Sequence, residues 1–122
     1  TEYQSDKTRA MDTISWDEFK NVDIRAGTII EVNDFPEARD PAYILQVDFG
    51  DELGIKKSSA QVTDLYGKDE LVGKQVIAVV NFPPKQIGPI MSECLVTGFH
   101  RNNGDVALAV PDLEVPDGTK IA

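Results

Sequence analysis

Short apolar segments recur along this chain, in places alternating with polar residues, which is the pattern of β-strands. The longest such stretch, VDIRAGTIIEVNDF at residues 22–35, resumes its apolar phase after Gly27 and Thr28. A glycine inside such a run marks a bulge or a sharp bend, so the pattern predicts a long, bent first strand. Further strands are predicted at residues 43–49, 55–62, 76–80, 92–99 and 106–110.

Two short segments carry helical signals instead. Ser15 and Glu18 form an S-x-x-E capping box before a short helical turn. The stretch TDLYGKDELVG at residues 63–73 predicts a short helical connection between the third and fourth strands. Five main strands, a bent first strand and one short helix after the third strand are the arrangement of the Greek-key barrel called the OB-fold. The predicted fold class is therefore all-β with one short helix, a five-stranded OB-fold barrel with N- and C-terminal extensions.

Length and hydropathy predict one domain with a flexible tail. The 122 residues fit a single domain with its own core. Residues 1–12 are polar, carry mixed charge and have no apolar period, which predicts a flexible tail before a single domain at residues 13–122. No stretch approaches the roughly 20 apolar residues of a membrane span, and the first residues do not resemble a signal peptide. We therefore expect a cytoplasmic protein that does not insert into membranes.

The chain is strongly acidic, with 12 Lys and Arg against 21 Asp and Glu and a net charge of −9. Such a field repels nucleic acid overall, although a local basic patch is compatible with it. Cys94 and His100 are the only cysteine and histidine. An internal disulfide is therefore excluded, and a protein-ligated zinc site is not expected. We interpret Cys94 as a buried strand residue and His100 as a surface or loop residue, and we predict no metal and no cofactor.

Candidate catalytic groups lack the arrangement that catalysis needs. His100, the only candidate base for a Ser-His-Asp triad, precedes the sequence RNNG, which is typical of a hairpin loop. The adjacent carboxylates Asp51-Glu52 and Asp69-Glu70 lie in turn-like surroundings, which favours solvated surface charge over a tuned acid–base pair. No glycine-rich phosphate-binding motif occurs. The sequence therefore predicts a binding module with no catalytic residues, not an enzyme.

Several longer motifs resemble the tRNA-binding-domain family. They are VDIRAG (22–27), VDFGD (47–51), DELVGKQVIAVVNFPPKQI (69–87) and SECLVTGF (92–99). Members of this family are OB-fold modules that are appended to some methionyl- and phenylalanyl-tRNA synthetases or occur as free-standing dimers. The stretches ARDPAYILQVDFG, IKKSSAQV and VVNFPPKQI further resemble the family's CsaA-type chaperones, which are small homodimers linked to bacterial protein export. The likeness covers residues 14–122.

The resemblance implies a ligand-facing surface, with departures that bear on the ligand. Arg25, Asn81, Lys85, Ser92 and Glu93 match positions that line or border the RNA-facing surface of the tRNA binders. The departures are Pro41 where a lysine is expected, Ala60-Gln61 in place of Ser-Gly, and Cys94 in place of a glycine. Together with the acidic balance, these departures favour polypeptide over tRNA as the ligand.

The same region suits an extended polypeptide. Tyr43, Phe82 and the neighbouring prolines would form stiff apolar walls, because proline has its φ already fixed. Serine and amide side chains can hydrogen-bond a backbone in either direction, and basic side chains attract carboxylates. The predicted ligand-binding residues are Arg25, Arg39, Tyr43, Ser58, Ser59, Gln61, Asn81, Phe82, Pro84, Lys85, Ser92 and Glu93. Two alternatives stay open, in which the aromatic residues complete the core and the polar third strand is an exposed sheet face.

The family likeness also implies a two-fold dimer. The predicted interface residues are Ile14, Trp16, Phe19, Val110, Leu113 and Val115. The alternative is that these terminal segments cap the monomer's own barrel. The leading functional hypothesis is a dimeric chaperone that binds unfolded or presecretory polypeptides for export without ATP, in contact with the export machinery. The alternative hypothesis is a structure-specific tRNA-binding module.

Overall fold

The computed structural model of the chain describes residues 12–122, so the predicted tail at residues 1–12 lies outside the described residues apart from Asp12. Within the described range there are two short helices, α1 (Trp16–Lys20) and α2 (Lys68–Leu71). The strands in chain order are β1 (Ile24–Asp34), β2 (Tyr43–Asp48), β3 (Ile55–Ala60), β4 (Gln75–Val79), β5 (Lys85–Ile87), β6 (Ile90–Ser92), β7 (Leu95–Val96), β8 (Gly98–His100) and β9 (Val106–Leu108). None of the helices in residues 12–122 is long and apolar enough to cross a bilayer.

The main sheet has five antiparallel strands in the order β3-β2-β1-β4-β7, and it curls into a nearly closed barrel. Two separate hairpins, β5-β6 and β8-β9, project from it. This architecture, with short helices only, confirms the predicted all-β OB-fold. The capping box at Ser15 is also present, with the Ser15 hydroxyl accepting from the Glu18 backbone N–H at 3.1 Å.

The long first strand, β1, pairs with a different neighbour in each of its halves. Its first half pairs with β4 and its second half pairs with β2. The register with β2 shifts between Ile29 and Glu31, so the bulge lies after the glycine and not at it. Gly27 has another role, because a Cβ atom there would come within 2.6 Å of the Phe49 ring and 2.7 Å of Val47. Close packing across the barrel therefore explains this glycine.

Alternating side chains of the strands fill the barrel interior. The largest fully buried side chains are Phe49, Ile29, Leu45, Leu71, Val47 and Val76. Leu71 comes from α2, which contributes this one residue to the core and leaves its other side chains exposed. Cys94 belongs to the same core cluster, as predicted, and its burial raises the pKa of the thiol to about 12.

The prediction of one continuous fifth strand at residues 92–99 is wrong, because the structure divides this segment among three strands. Ser92 ends β6, which pairs with β5; β7 pairs with β4; and β8 pairs with β9. The chain changes its pairing partner twice within eight residues, so no single ladder can run through it. The hairpin β5-β6 was also not predicted, because each of its strands has only three residues and therefore too few positions to show a period.

Side chains complete the closure of the barrel on the far edge of β3. The Glu93 backbone N–H donates to the Lys57 carbonyl at 2.7 Å, and the Lys57 N–H donates to the Glu93 carboxylate at 2.9 Å. Two residues further along β3, the Ser59 N–H donates to the Ser92 hydroxyl at 3.3 Å. These contacts bring residues 92–95 alongside β3 and so position the site described next.

The C-terminal extension lies along the other edge of β1. The Gly118 N–H donates to the Ala26 carbonyl at 2.8 Å, and the Ala26 N–H donates to the Thr119 carbonyl at 2.9 Å. The Ile121 N–H continues the pairing by donating to the Ile24 carbonyl at 2.9 Å. The first half of β1 therefore has a hydrogen-bonding neighbour on each edge.

Candidate functional site

A cavity of about 610 Å³ opens at the base of the β5-β6 hairpin. It forms here because Pro83 and Pro84 have no backbone N–H, so the chain cannot continue the β4 ladder and leaves the barrel. The cavity is lined by Phe82, Pro83, Pro84, Lys85, Gln86, Ser92, Cys94 and Leu95. Phe82 and Leu95 remain about half exposed, at 54% and 49%. The result is an open cavity with an apolar wall and a few polar groups.

A second cavity of about 390 Å³ lies beside the first, between the end of β3 and β7. Its walls are Ser59, Ala60, Gln61, Val62, Leu95, Val96, Thr97, Gly98, His100 and Val106. Leu95 lines both cavities, which are therefore neighbours. We refer to the two cavities together as the groove.

The groove brings together half of the predicted ligand-binding residues. Its walls include Ser59, Gln61, Phe82, Pro84, Lys85 and Ser92. Leu95 was missed, although a signal was present: in the strand pattern SECLVTGF, a buried Cys94 places the next side chain on the outer face. The exposed Phe82 is consistent with the ligand-wall interpretation and not with a core role.

Two predicted residues, Arg39 and Tyr43, line a different cavity. It measures about 470 Å³ and lies on the connection between β1 and β2. Tyr43 is half-buried against the core, and its hydroxyl donates to the Tyr66 carbonyl at 2.9 Å. The tip of the β5-β6 hairpin approaches this connection at Phe35, where a Cβ on Gly88 would lie 3.7 Å from the ring.

Arg25 points to the C-terminal extension and does not line the groove. Its guanidinium forms a two-bond contact with Asp23, at 2.7 and 3.2 Å, and also donates to Glu52 at 3.1 Å and to the Gly118 carbonyl at 3.2 Å. The side chain is only 12% exposed. The hydrogen bonds to Asp23 and then to Glu52 raise the pKa of Arg25. Its charge is therefore engaged within the protein.

Three other predicted residues have structural roles or are buried. The Asn81 side chain accepts from the Asp23 N–H at 3.0 Å and donates to the Asn21 carbonyl at 2.7 Å, which fixes the entry to β1. Ser58 is 1% exposed and faces the barrel interior. Glu93 closes the barrel through Lys57.

The electrostatics of the groove differ from those of the whole chain. In the part of the chain that the structure describes, neither cavity has an Asp or Glu in its wall. Lys85 lies in the first cavity and His100 in the second. The groove is thus a strip without carboxylates on a protein of net charge −9. Within residues 12–122, no group of three or more metal-ligating side chains is placed to hold a metal ion.

Comparison with known proteins identifies the family. A family model described as "Putative tRNA binding domain" matches residues 24–120, which is most of the chain. The chain belongs to the tRNA-binding-domain family. Its resemblance to this family, carried by the motifs of β1, β4 and the residues after β6, is confirmed.

Relatives of this family include parts of much longer enzymes. The methionine–tRNA ligase of Thermococcus kodakarensis is 38% identical over 114 residues, which cover 93% of this chain and 15% of the ligase. The corresponding ligase of Bacteroides fragilis is 32% identical over 119 residues, covering 98% of this chain and 17% of the ligase. The chain therefore spans less than a fifth of the length of these curated relatives.

Solved structures of family members include two chaperones. The CsaA chaperone protein from Picrophilus torridus is 54% identical, with a TM-score of 0.84, and the match covers 90% of this chain and all of that one. The chaperone CsaA from Bacillus anthracis is 47% identical, with a TM-score of 0.85, covering 91% and 100%. A MetRS-related protein from Pyrococcus horikoshii is 27% identical, with a TM-score of 0.80, covering 92% and 100%. The resemblance to CsaA-type members of the tRNA-binding-domain family is thus confirmed.

Most residues predicted for the dimer of this tRNA-binding-domain protein carry exposed apolar surface. Trp16 is 81% exposed, and Ile14, Val110 and Leu113 are also exposed. Phe19 and Val115 are half-buried. Val115 lies at a small apolar cavity of about 240 Å³, together with Ile77, Pro111 and Ile121. Exposed residues of this kind at both termini are available for contact with another chain.

Proposed function

We propose that this protein is a CsaA-type chaperone, a cytoplasmic homodimer that binds unfolded or presecretory polypeptides without ATP and serves protein export. On this proposal the chain is a binding protein and not an enzyme. The groove over Leu95 is the observation that carries the proposal, because it combines apolar walls with polar groups that suit a peptide backbone. The similarity to two CsaA chaperones at 54% and 47% identity supports it.

The apolar wall supplies affinity for side chains that folding would bury. Phe82 and Leu95 expose apolar surface that an unfolded segment can cover, and fully burying one large apolar side chain contributes about 1.5–3 kcal/mol. Pro83 and Pro84 add wall whose backbone is already restricted, so little conformational entropy is lost on binding. A folded client keeps such side chains in its own core and therefore gains little here.

The polar groups of the groove supply contacts that do not depend on client sequence. Ser59, Gln61 and Gln86 have side chains that both donate and accept hydrogen bonds, so they can bond a backbone in either direction. Because every client has the same backbone, such contacts add affinity without strict selectivity. ATP has no role in this proposal, since the sequence contains no nucleotide-binding glycine motif.

The proposal is tested by fluorescence anisotropy with a labelled, permanently unfolded polypeptide and the same protein in its folded form. We expect binding of the unfolded form only, and weaker binding by Leu95→Ala. Phe99→Ala is the matched control, because Phe99 is an exposed aromatic residue outside both cavities. Equal binding of folded and unfolded forms would refute the chaperone function.

The second candidate function is structure-specific tRNA binding, which the match to the tRNA-binding family favours. The groove could accept a phosphate, because Lys85 lines it and its walls contain no carboxylate. The net charge of −9 opposes the binding of nucleic acid. Gel-shift titration with tRNA at two salt concentrations distinguishes the candidates. Phosphate binding weakens steeply with salt, while binding through apolar walls changes little.

A further inference from the structure

The β5-β6 hairpin has a strand edge that the rest of the described chain leaves unpaired. Its turn is Gly88-Pro89, and the φ of 54° at Gly88 is the conformation that a type II′ turn requires of its first central residue. Ile87 and Ile90 flank this two-residue turn and pair with each other. Because no residue lies between them and the turn, they are a hydrogen-bonded pair that exchanges both backbone bonds.

Hydrogen-bonded and non-hydrogen-bonded pairs alternate along an antiparallel ladder. Gln86 and Met91, the next pair from the turn, are therefore not bonded to each other, and their backbone N–H and C=O groups point out of the two edges of the hairpin. β5 pairs with β6 alone, and within residues 12–122 no other segment makes a backbone hydrogen bond with Gln86. The outer edge of β5 thus presents one donor and one acceptor to solvent.

This edge is limited at both ends. Pro83 and Pro84 precede it and have no backbone N–H, so they add no donor. At the other end, the Gly88 carbonyl already accepts from the Gln86 side-chain amide at 2.6 Å. A very short edge is one of the ways in which proteins prevent further chains from adding without limit. An extended segment can therefore pair at Gln86, but the pairing cannot spread along the hairpin.

The first cavity distinguishes the edge of β5 from the edge of β6. Lys85 and Gln86 line that cavity together with Phe82, whereas Met91 lines neither cavity of the groove. A segment that pairs with Gln86 consequently runs along the cavity wall, where its side chains meet apolar surface. In strand addition, backbone hydrogen bonds give affinity, and pockets for alternate side chains give specificity. Both contributions are available at β5.

Charge indicates which extended segments pair best with β5. Arg25 and Lys68 form ion pairs with carboxylates of the protein, whereas Lys85 has no such pair within the described residues. Among those residues, the wall of the first cavity contains no Asp or Glu, although the net charge of the chain is −9. Opposite charges on facing residues of neighbouring strands attract each other. A client carboxylate is therefore favoured opposite Lys85 and repelled by most of the remaining surface.

We propose that β5 binds an extended segment of an unfolded polypeptide by strand addition. Gln86 exchanges backbone hydrogen bonds with this segment, and Lys85 faces one of its carboxylates. The inference rests on the proposed chaperone function and names the way in which the groove holds a client. It requires a polypeptide, because a nucleic acid has no alternating N–H and C=O groups with which to extend a ladder.

Amide hydrogen exchange in the wild-type protein, followed by NMR, tests the pairing directly. The ligand is a permanently unfolded polypeptide at saturating concentration. We expect exchange of the Gln86 amide to slow by about tenfold or more, while that of Met91, on the opposite edge, stays unchanged. An unchanged Gln86 rate at saturation, or slowing at Met91 alone, would overturn the inference and leave the chaperone function standing.

Proline variants test the contribution of the same N–H to affinity. Gln86→Pro removes it, and proline is tolerated at an edge position whose N–H faces solvent. We expect binding about tenfold weaker, which is the upper range for one backbone hydrogen bond, whereas Gln86→Ala keeps the N–H and should lose less. Met91→Pro is the matched control, because it makes the same change on the other edge, and it should bind like wild type. Equal affinities or equal losses in the two proline variants would overturn the inference.

Peptides test the charge preference and assign the remaining outcomes. Labelled twelve-residue peptides of alternating Val and Thr, with Glu, Gln or Lys at one central position, should bind in that order of decreasing affinity. Lys85→Gln should remove the order, and equal affinities in the wild type would overturn the role of Lys85. If the wild type binds neither peptides nor unfolded polypeptide, the chaperone function fails as well. Displacement of the peptides by tRNA at lower concentration would make the groove a nucleic-acid site and overturn the inference.

Discussion

The carboxylate of Glu93 accepts a hydrogen bond from the Lys57 backbone N–H at 2.9 Å, and the Glu93 N–H donates back to the Lys57 carbonyl at 2.7 Å. These residues are 36 positions apart, and their exchange joins β3 to the chain between β6 and β7. Together with the Ser92 hydroxyl, which accepts from the Ser59 N–H, the Glu93 carboxylate thus takes the place of backbone acceptors at this edge of β3. Closure of the barrel therefore depends on side chains in a way that a backbone ladder would not.

Glu93→Ala is therefore expected to lower the free energy of unfolding by about 1.5–3 kcal/mol, the range for a hydrogen bond to a charged group. Glu93→Gln keeps an acceptor oxygen and should lower the free energy of unfolding by a smaller amount. Urea unfolding measures both changes, with Glu114→Ala, at an exposed position, as the control. Equal stability of Glu93→Ala and Glu114→Ala would show that the backbone bond alone closes the barrel.

Phe82→Ala combined with Lys85→Ala is expected to weaken binding of unfolded polypeptide about tenfold or more, because it removes a large apolar wall and the cation of the first cavity. Anisotropy titration gives the affinity, and sedimentation should show an unchanged oligomeric state. Phe99→Ala with Arg101→Ala is the matched control, since it removes a phenylalanine and a basic residue from exposed positions outside the groove. A larger loss in the control pair would place the binding site at the β8-β9 hairpin.

Trp16→Asp together with Leu113→Asp is expected to give a monomer at micromolar concentration if these exposed side chains form the dimer contact. Charges placed in an apolar interface lose hydration without gaining a partner. Sedimentation velocity measures the state, and Ile55→Asp, at another exposed apolar position, is the control. A dimer that persists in the double variant would locate the interface elsewhere.

Cys94 is expected to be unreactive in the folded protein. With its pKa raised to about 12 by burial, roughly one thiol in ten thousand is ionised at pH 8. A chromogenic disulfide reagent should react rapidly in urea and very slowly without it. Fast reaction of the folded protein would show that the first cavity opens to the thiol.

The same thiol has a consequence for alkaline stability. The ordinary pKa of 9.0 applies to the unfolded chain, so the unfolded state loses this proton first as pH rises. The native state should therefore lose stability between about pH 9 and pH 12, and that part of the loss should be absent in Cys94→Ala. Parallel pH profiles of wild type and variant would contradict this assignment.

The sequence predicted those parts of the structure that depend on local periodicity. β1 follows the alternation of apolar and polar residues, β4 follows a continuous apolar run, and the helix between β3 and β4 lies where the connection was expected. The hairpin β5-β6 has no signal in the sequence because three-residue strands carry no period, and the pattern of residues 92–99 predicts one strand although three pairing partners divide it. Pairings between distant segments cannot be read from either segment alone.

The position of part of the candidate site also follows from local signals. Phe82, Pro84 and Lys85, which line the first cavity, were predicted as ligand-binding residues because a proline pair ends a buried strand. The engagement of Arg25 by Asp23 is also local in sequence, whereas its contacts with Glu52 and Gly118 join segments that are 27 and 93 residues away. Only the folded chain shows which charges are already used within the protein.

The pairing of residues 118–121 with β1 also protects the protein from aggregation through this strand edge. An uncovered strand edge is a template on which other chains can add as further strands and aggregate. On the proposed chaperone function, unfolded chains are such partners. Because the C-terminal residues occupy the edge of Ile24 to Ala26, an unfolded chain finds no free backbone groups to pair with there. On the proposed function, client binding in the groove therefore does not compete with strand addition at this edge.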